Sequence, residues 1–115
     1  MGYEVRRSRA CRNDLERIFD HLVAAHLELG ADMAEAFDRA ETRLSRIEDD
    51  MASLGRAPHR GTLWPEVMTG LRWVTIDRAI YYFLVDDDRE AVHVLAVFFG
   101  GQDHKRHVLD RIRPR

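Results

Sequence analysis

The sequence predicts an α+β fold: an N-terminal strand, an antiparallel two-helix hairpin packed on an antiparallel β-sheet of about four strands, and a short C-terminal tail or helix. Three observations predict it. Leu71 to Gly101 contains three runs rich in Val, Ile, Tyr, Phe and Trp, separated by Ile76-Asp77-Arg78 and Asp86-Asp87-Asp88-Arg89-Glu90. β-Branched and aromatic runs bounded by Asp clusters are the pattern of hairpin-linked strands. Before them stand two amphipathic segments of helical period, and helices and strands do not alternate.

Tyr3-Glu4-Val5-Arg6-Arg7 alternates apolar and polar residues, as a short first strand does. Ser8 is placed to cap the helix that follows. That helix carries Leu15, Ile18, Phe19, Leu22, Val23, His26 and Leu27 on one stripe, which makes His26 a core or boundary residue. Cys11 reads as a small buried side chain. Gly30 breaks the pattern, and Asp32 with Glu35 restarts it in a capping arrangement. The second helix has Met33, Phe37, Ala40, Leu44, Ile47, Met51 and Leu54, in alternating steps of four and three residues. That narrow seam suits two helices side by side. Gly55 ends the helix and Pro58 prevents its return. Residues 56–65, RAPHRGTLWP, read as a loop whose cations Arg56, His59 and Arg60 are solvated. The strands after it are apolar on both faces, so they need cover. The helical hairpin covers one face, and some apolar surface of the other is expected to remain for a partner. Gly100-Gly101 lets the chain turn, and Val108, Leu109 and Ile112 make one face of a short tail helix.

At 115 residues the chain is one domain, 1–115, with one core. An apolar share of 45% and a charged share of 33% exclude a disordered chain. No apolar run reaches the roughly 18 residues of a membrane span, so no membrane association is expected. No signal core follows MGYEVRRSR, and the expected location is the cytoplasm. The single cysteine excludes an internal disulfide and a cysteine-built zinc site. The net charge of -2 hides an uneven layout. Glu28 to Asp50 holds eight acids and three arginines, whereas the first 17 residues carry five arginines and His104 to Arg115 is basic. Basic surface alone is a weak sign of nucleic-acid contact, and direct nucleic-acid binding is left open.

No phosphate-binding glycine loop and no nucleophile elbow is present, and no cofactor is implied. Asp86-Asp87-Asp88 reads as a hairpin turn rather than a metal site. His104-Lys105-Arg106-His107 reads first as a basic, solvated helix start. Two imidazoles beside cations are also suited to acid–base work on a phosphodiester.

Several motifs, in order, carry a resemblance. They are Tyr3-x-Val5-x-x-Ser8, Asp14-Leu15-x-x-Ile18, the hairpin, Pro58, Gly70-Leu71-Arg72 and Arg78-x-Ile80-x-Tyr82. The last are Val92-x-Val94-Leu95-x-Val97-Phe98 and Gly101-Gln102-Asp103-His104. Together they resemble the ParE/RelE toxin superfamily of bacterial type II toxin–antitoxin modules, over nearly the whole chain. The resemblance implies a small cytoplasmic toxin that arrests growth and is neutralised by a cognate antitoxin.

Two activities occur in that superfamily. RelE-like members cut mRNA on the ribosome; ParE-like members inhibit DNA gyrase by binding. The nuclease pattern has two lysines on the first central strand, where this chain has Arg72 and Val74. Arg78 matches the arginine opening the next strand. No arginine stands at Gly101 to His104, although Arg106 is near, and no tyrosine follows Phe99. The resemblance is therefore closer to ParE, a gyrase inhibitor with no catalytic set of its own. The alternative is an mRNA-cleaving enzyme using Arg72, Arg78, His104 and His107. Contacts to target or antitoxin are expected from Arg6, Arg7, Arg72, Arg78, Tyr82, His104, Lys105 and Arg106. An acidic antitoxin segment is expected to meet Arg6, Arg7 and the C-terminal cations.

Overall fold

In a computed structural model, which describes residues 2–100 together with 108, 110 and 111, the expected elements follow one another. They are β1 (Glu4–Arg7), α1 (Arg9–Glu28), α2 (Met33–Ala52), a 3-10 turn (Ser53–Gly55), β2 (Thr62–Leu63), β3 (Arg72–Ile76), β4 (Ala79–Asp86) and β5 (Ala91–Phe99). Both predicted caps form. Ser8 Oγ accepts from the Cys11 N–H at 3.0 Å, and Asp32 Oδ1 accepts from the Glu35 N–H at 2.8 Å. Each satisfies an amide that the first helical turn leaves without a partner.

The five strands form one sheet in the order β1-β5-β4-β3-β2. It is mixed rather than antiparallel throughout, because β1 runs parallel to β5, pairing Val5 with Val92 and Arg7 with Val94. An alternating pattern fixes which face a side chain takes, and not which strand lies beside it or in which direction. The fifth strand, β2, falls inside the segment expected to be loop, and only Thr62 and Leu63 pair there. Gly61 makes that approach possible. Its φ is +90°, and a Cβ on it would stand 2.6 Å from the Trp73 carbonyl oxygen.

Two cores sandwich the sheet. On the helix side, Leu15, Ile18 and Leu22 of α1 and Ala40, Ile47 and Met51 of α2 pack on Tyr81, Phe83, Val92, Val94 and Val97. Tyr81 is fully buried, and its hydroxyl donates to the Ile47 carbonyl at 3.0 Å. On the opposite side Leu71, Ile80, Tyr82, Ala96, Phe98 and Val108 are buried, with Trp64, Val67, Met68 and Trp73 packed against them. The second face is therefore not left open for a partner. The segment from Trp64 to Leu71 folds back over it, closed by Trp64 N–H to Leu71 O at 2.8 Å and Leu71 N–H to Met68 O at 3.0 Å. Its apolar residues Trp64, Val67, Met68 and Leu71 keep a helical spacing, but only over one short stretch that holds Pro65 and Gly70, which hid this cover in the sequence.

A bulge interrupts β5. Tyr82 pairs with Ala96 and Phe83 with Val94, so Leu95 has no opposite residue. α1 supplies what the bulged backbone lacks. Ser8 Oγ donates to the Leu95 carbonyl at 3.2 Å, and the Val97 N–H donates to Asp14 Oδ2 at 3.1 Å. Asp14, only 4% exposed, also takes both forks of Arg111 at 2.8 and 3.0 Å. Burial pushes its carboxyl pKa up, against the pull of the Val97 amide and the Arg111 charge.

The helical seam is not buried throughout. Leu29, Met33 and Phe37 are 83%, 57% and 43% exposed, and the first buried side chain of α2 is Ala36. All three lie at or next to the α1–α2 connection or in the first turns of α2, so the hairpin tip is the part of the seam left exposed.

Candidate functional site

Among the described residues, the cations expected to meet a partner do not form one surface. Arg6 and Arg7 lie on β1, and alternation sends them to opposite faces. Arg6 pairs with Glu4 at 3.2 Å, and Arg7 clamps β1 to α2 through Glu48 at 2.7 Å. Arg72 opens β3, where register sets it beside Phe83 on the helix side, and its guanidinium donates to the His59 carbonyl at 2.7 Å. Val74, opposite Tyr81, packs into the helix-side core. Arg78 lies beyond the other end of β3, on the order of 15 Å away by strand rise. Tyr82 is not a surface group. It is fully buried among Trp64, Trp73 and Phe98, at ring distances of 6.2, 6.4 and 6.1 Å. Burial lifts its phenol to about 12. His104, Lys105, Arg106 and His107 lie outside the described residues.

Two clusters carry the remaining chemistry. The first gathers at the Arg72 end. Asp86-Asp87-Asp88 is a hairpin turn, with Asp86 Oδ1 accepting from the Arg89 N–H at 3.1 Å. Asp87 also accepts from Tyr3 at 2.8 Å and meets His59 Nε2 at 2.6 Å. The Tyr3 and His59 hydrogen bonds hold the Asp87 carboxyl below its usual range, and the same bond raises the Tyr3 phenol. This joins the first strand, the 56–65 loop and the β4–β5 turn. His59 is an ordered member of it, which single-residue reading of a loop cannot show. Beside it, on the other face, lies an open hollow of about 580 Å³ lined by Thr69, Gly70, Leu84, Asp86, Asp87 and His93. Among the described residues no group of three or more His, Cys, Asp or Glu is placed to hold a metal ion.

The second cluster surrounds the β3–β4 turn. Ile76 and Ala79 pair across a two-residue loop, Asp77-Arg78, with φ of +49° and +72°. Such turns favour Asn-Gly, because both central residues need positive φ. Arginine there costs on the order of 1–3 kcal/mol. Four contacts hold it. Arg43 donates to the Asp77 carboxylate at 3.0 Å and to its carbonyl at 2.6 Å, Arg46 meets the same carboxylate at 3.0 Å, and the Gly100 N–H reaches Arg78 O at 3.2 Å. The guanidiniums of Arg43 and Arg78 lie 4.8 and 5.7 Å from the Phe99 ring centre. Cation–π attraction favours both positions. Arg78 was legible as a candidate; its neighbours Arg43 and Arg46 on α2 were not.

Comparison with solved structures adds the fold's context. The chain superposes on a chain of the chromosomal ParDE TA system from P. aeruginosa with a TM-score of 0.65 and 18% identity, covering 86% of this chain and 97% of that one. The fold is that of these toxin–antitoxin proteins. A chain of the toxin-antitoxin complex RelBE2 from Mycobacterium tuberculosis matches with a TM-score of 0.55 and 22% identity, over 89% of this chain and 95% of that one. A mutant of the E. coli toxin RelE in the free state matches with a TM-score of 0.61 and 10% identity, over 97% and 95%. No protein-family model and no curated protein sequence matches the chain.

Proposed function

We propose that this chain is the toxin of a type II toxin–antitoxin pair, that it acts in the ParE manner by binding DNA gyrase, and that a cognate antitoxin neutralises it. The fold likeness supports the toxin reading. One observation carries the choice of mechanism: among the described residues, neither place where the resemblance puts a nuclease lysine holds one. Val74 is packed in the helix-side core, and Arg72 is tied to the His59 carbonyl. No tyrosine follows Phe99. The loss of that lysine pair and of the tyrosine favours action by contact over side-chain chemistry. Purified protein added to a gyrase supercoiling reaction is expected to block supercoiling, with relief on adding antitoxin. Unchanged supercoiling at excess toxin contradicts the reading.

One observation favours the alternative, an mRNA-cleaving toxin. His59 and Asp87 form an acid–base pair in the cluster that Arg72 borders. Mapping mRNA 5′ ends after induction tests it. New codon-linked ends that vanish in His59→Ala support cleavage, and their absence removes it.

A further inference from the structure

The turn Asp77-Arg78 is strained, and the chain holds it with arginines where Asn-Gly needs no clamp. Strain maintained by surrounding contacts marks positions where local geometry serves something beyond folding. Here it presents Arg78 at the surface, above Phe99 and beside Arg43 and Arg46. Two guanidiniums, those of Arg43 and Arg46, share the Asp77 carboxylate, and that of Arg78, the next residue, lies over Phe99. Among the described residues, no carboxylate pairs with Arg78. Arg46 is 64% exposed. Among the described residues, two cations expected to meet an acidic partner are paired within the chain, Arg6 with Glu4 and Arg7 with Glu48.

We infer that Arg46 and Arg78, set by Arg43 around Asp77 and Phe99, form the docking point for a carboxylate of an acidic protein segment. The inference rests on the proposed antitoxin partnership and assigns that partner's acidic side chains a place. A planar guanidinium fork matches a carboxylate or a phosphate equally well, so the surroundings decide between them. The helix that carries Arg43 and Arg46 also carries Glu41, Glu48, Asp49 and Asp50. A duplex presents one charge per roughly 1.7 Å of axis. It cannot reach these arginines without pressing further phosphates against those acids. A peptide brings one or two carboxylates and leaves the acidic face in water. Arg43 is a positioning residue: only 21% exposed, it holds the turn and keeps both forks on Asp77.

The test uses the full chain and the purified antitoxin encoded beside it. Arg46→Ala with Arg78→Ala is expected to weaken antitoxin binding by about tenfold or more and to flatten its salt dependence. Arg9→Ala with Arg12→Ala removes the same charge elsewhere and is expected to change affinity less than about twofold. Both Arg46 and Arg78 are exposed, so melting temperatures report whether the fold is kept. Arg46→Lys with Arg78→Lys keeps charge and fold, loses the fork, and is expected to fall between. Equal antitoxin affinity for wild type and the double Ala variant overturns the inference and leaves the proposed function standing. Loss of binding to a 20-nucleotide strand with antitoxin affinity unchanged assigns the site to phosphate and also overturns it. If wild-type protein binds no antitoxin at all, the proposed function falls, and the inference with it.

Discussion

Asp14 joins the first helix to the bulged strand, and its removal has a calculable effect. In Asp14→Ala the Val97 N–H loses its acceptor in a buried place, and Arg111 loses its two hydrogen bonds to that carboxylate. An orphaned buried donor costs about 1–3 kcal/mol. The Arg111 pair adds less than about 1 kcal/mol, because that side chain is 27% exposed. The sum is about 1–4 kcal/mol, or about 4–20 °C in melting temperature for a domain of this size. Asp14→Asn differs. Its amide oxygen still accepts from Val97, and only the charge is lost. Because burial raises the Asp14 pKa, the fold does not fully compensate the ionised form. Asp14→Asn is therefore expected to cost under about 1 kcal/mol. The raised pKa also sets a direction with pH. Between the unfolded value near 3.8 and the higher folded value, the folded state holds the proton that the unfolded state has lost. Wild type should thus gain stability relative to Asp14→Asn as the pH falls through that window. Urea unfolding at neutral and acidic pH measures both. Equal losses for Ala and Asn would refute the argument that the Val97 bond, not the charge, carries the energy.

Other outcomes follow from the packing. Gly55→Ala places a methyl group into the Tyr3 carbonyl oxygen, so expression of soluble protein should fall and the melting temperature drop; an unchanged melt contradicts the close approach. Tyr82→Ala empties a buried ring and should cost about 3–5 kcal/mol. The fraction that stays folded should bind antitoxin as wild type does, and weaker binding by that fraction would return Tyr82 to the contact surface. Burial lifts the Cys11 thiol to about 11 and the Tyr82 phenol to about 12, from ordinary values of 9.0 and 10.0. The unfolded chain therefore loses these protons first, and stability should fall as pH rises from about 9 towards 12. The native thiol should also resist a water-soluble disulfide reagent until denaturant is added. Rapid labelling would contradict its burial.

The elements that depend on short-range chemistry were legible in the sequence. Ser8 and Asp32 cap the helices as their positions predict, and β3, β4 and β5 lie where aromatic and β-branched residues cluster. What escaped depends on long-range partners. The direction of β1 is set by β5, more than 80 residues on, and period-two alternation carries no sign of it. The cover over Tyr82 comes from Trp64, Val67 and Met68, in a segment too short, and too broken by Pro65 and Gly70, to read as an element. Asp14 reads as a polar residue on a helix, and only the bulge opposite explains its burial. The functional candidates divide the same way. Arg72 and Arg78 were visible through resemblance. Their neighbours His59, Asp87, Arg43 and Arg46 became visible only once the chain had folded.

The central claim is that this chain arrests growth through gyrase and not through mRNA. One induced culture tests it directly, with plasmid linking number and mRNA 5′ ends read from the same cells. The account predicts relaxed plasmid and unaltered transcript ends, both restored to the uninduced pattern by the antitoxin. Normally supercoiled plasmid together with new transcript ends would contradict it.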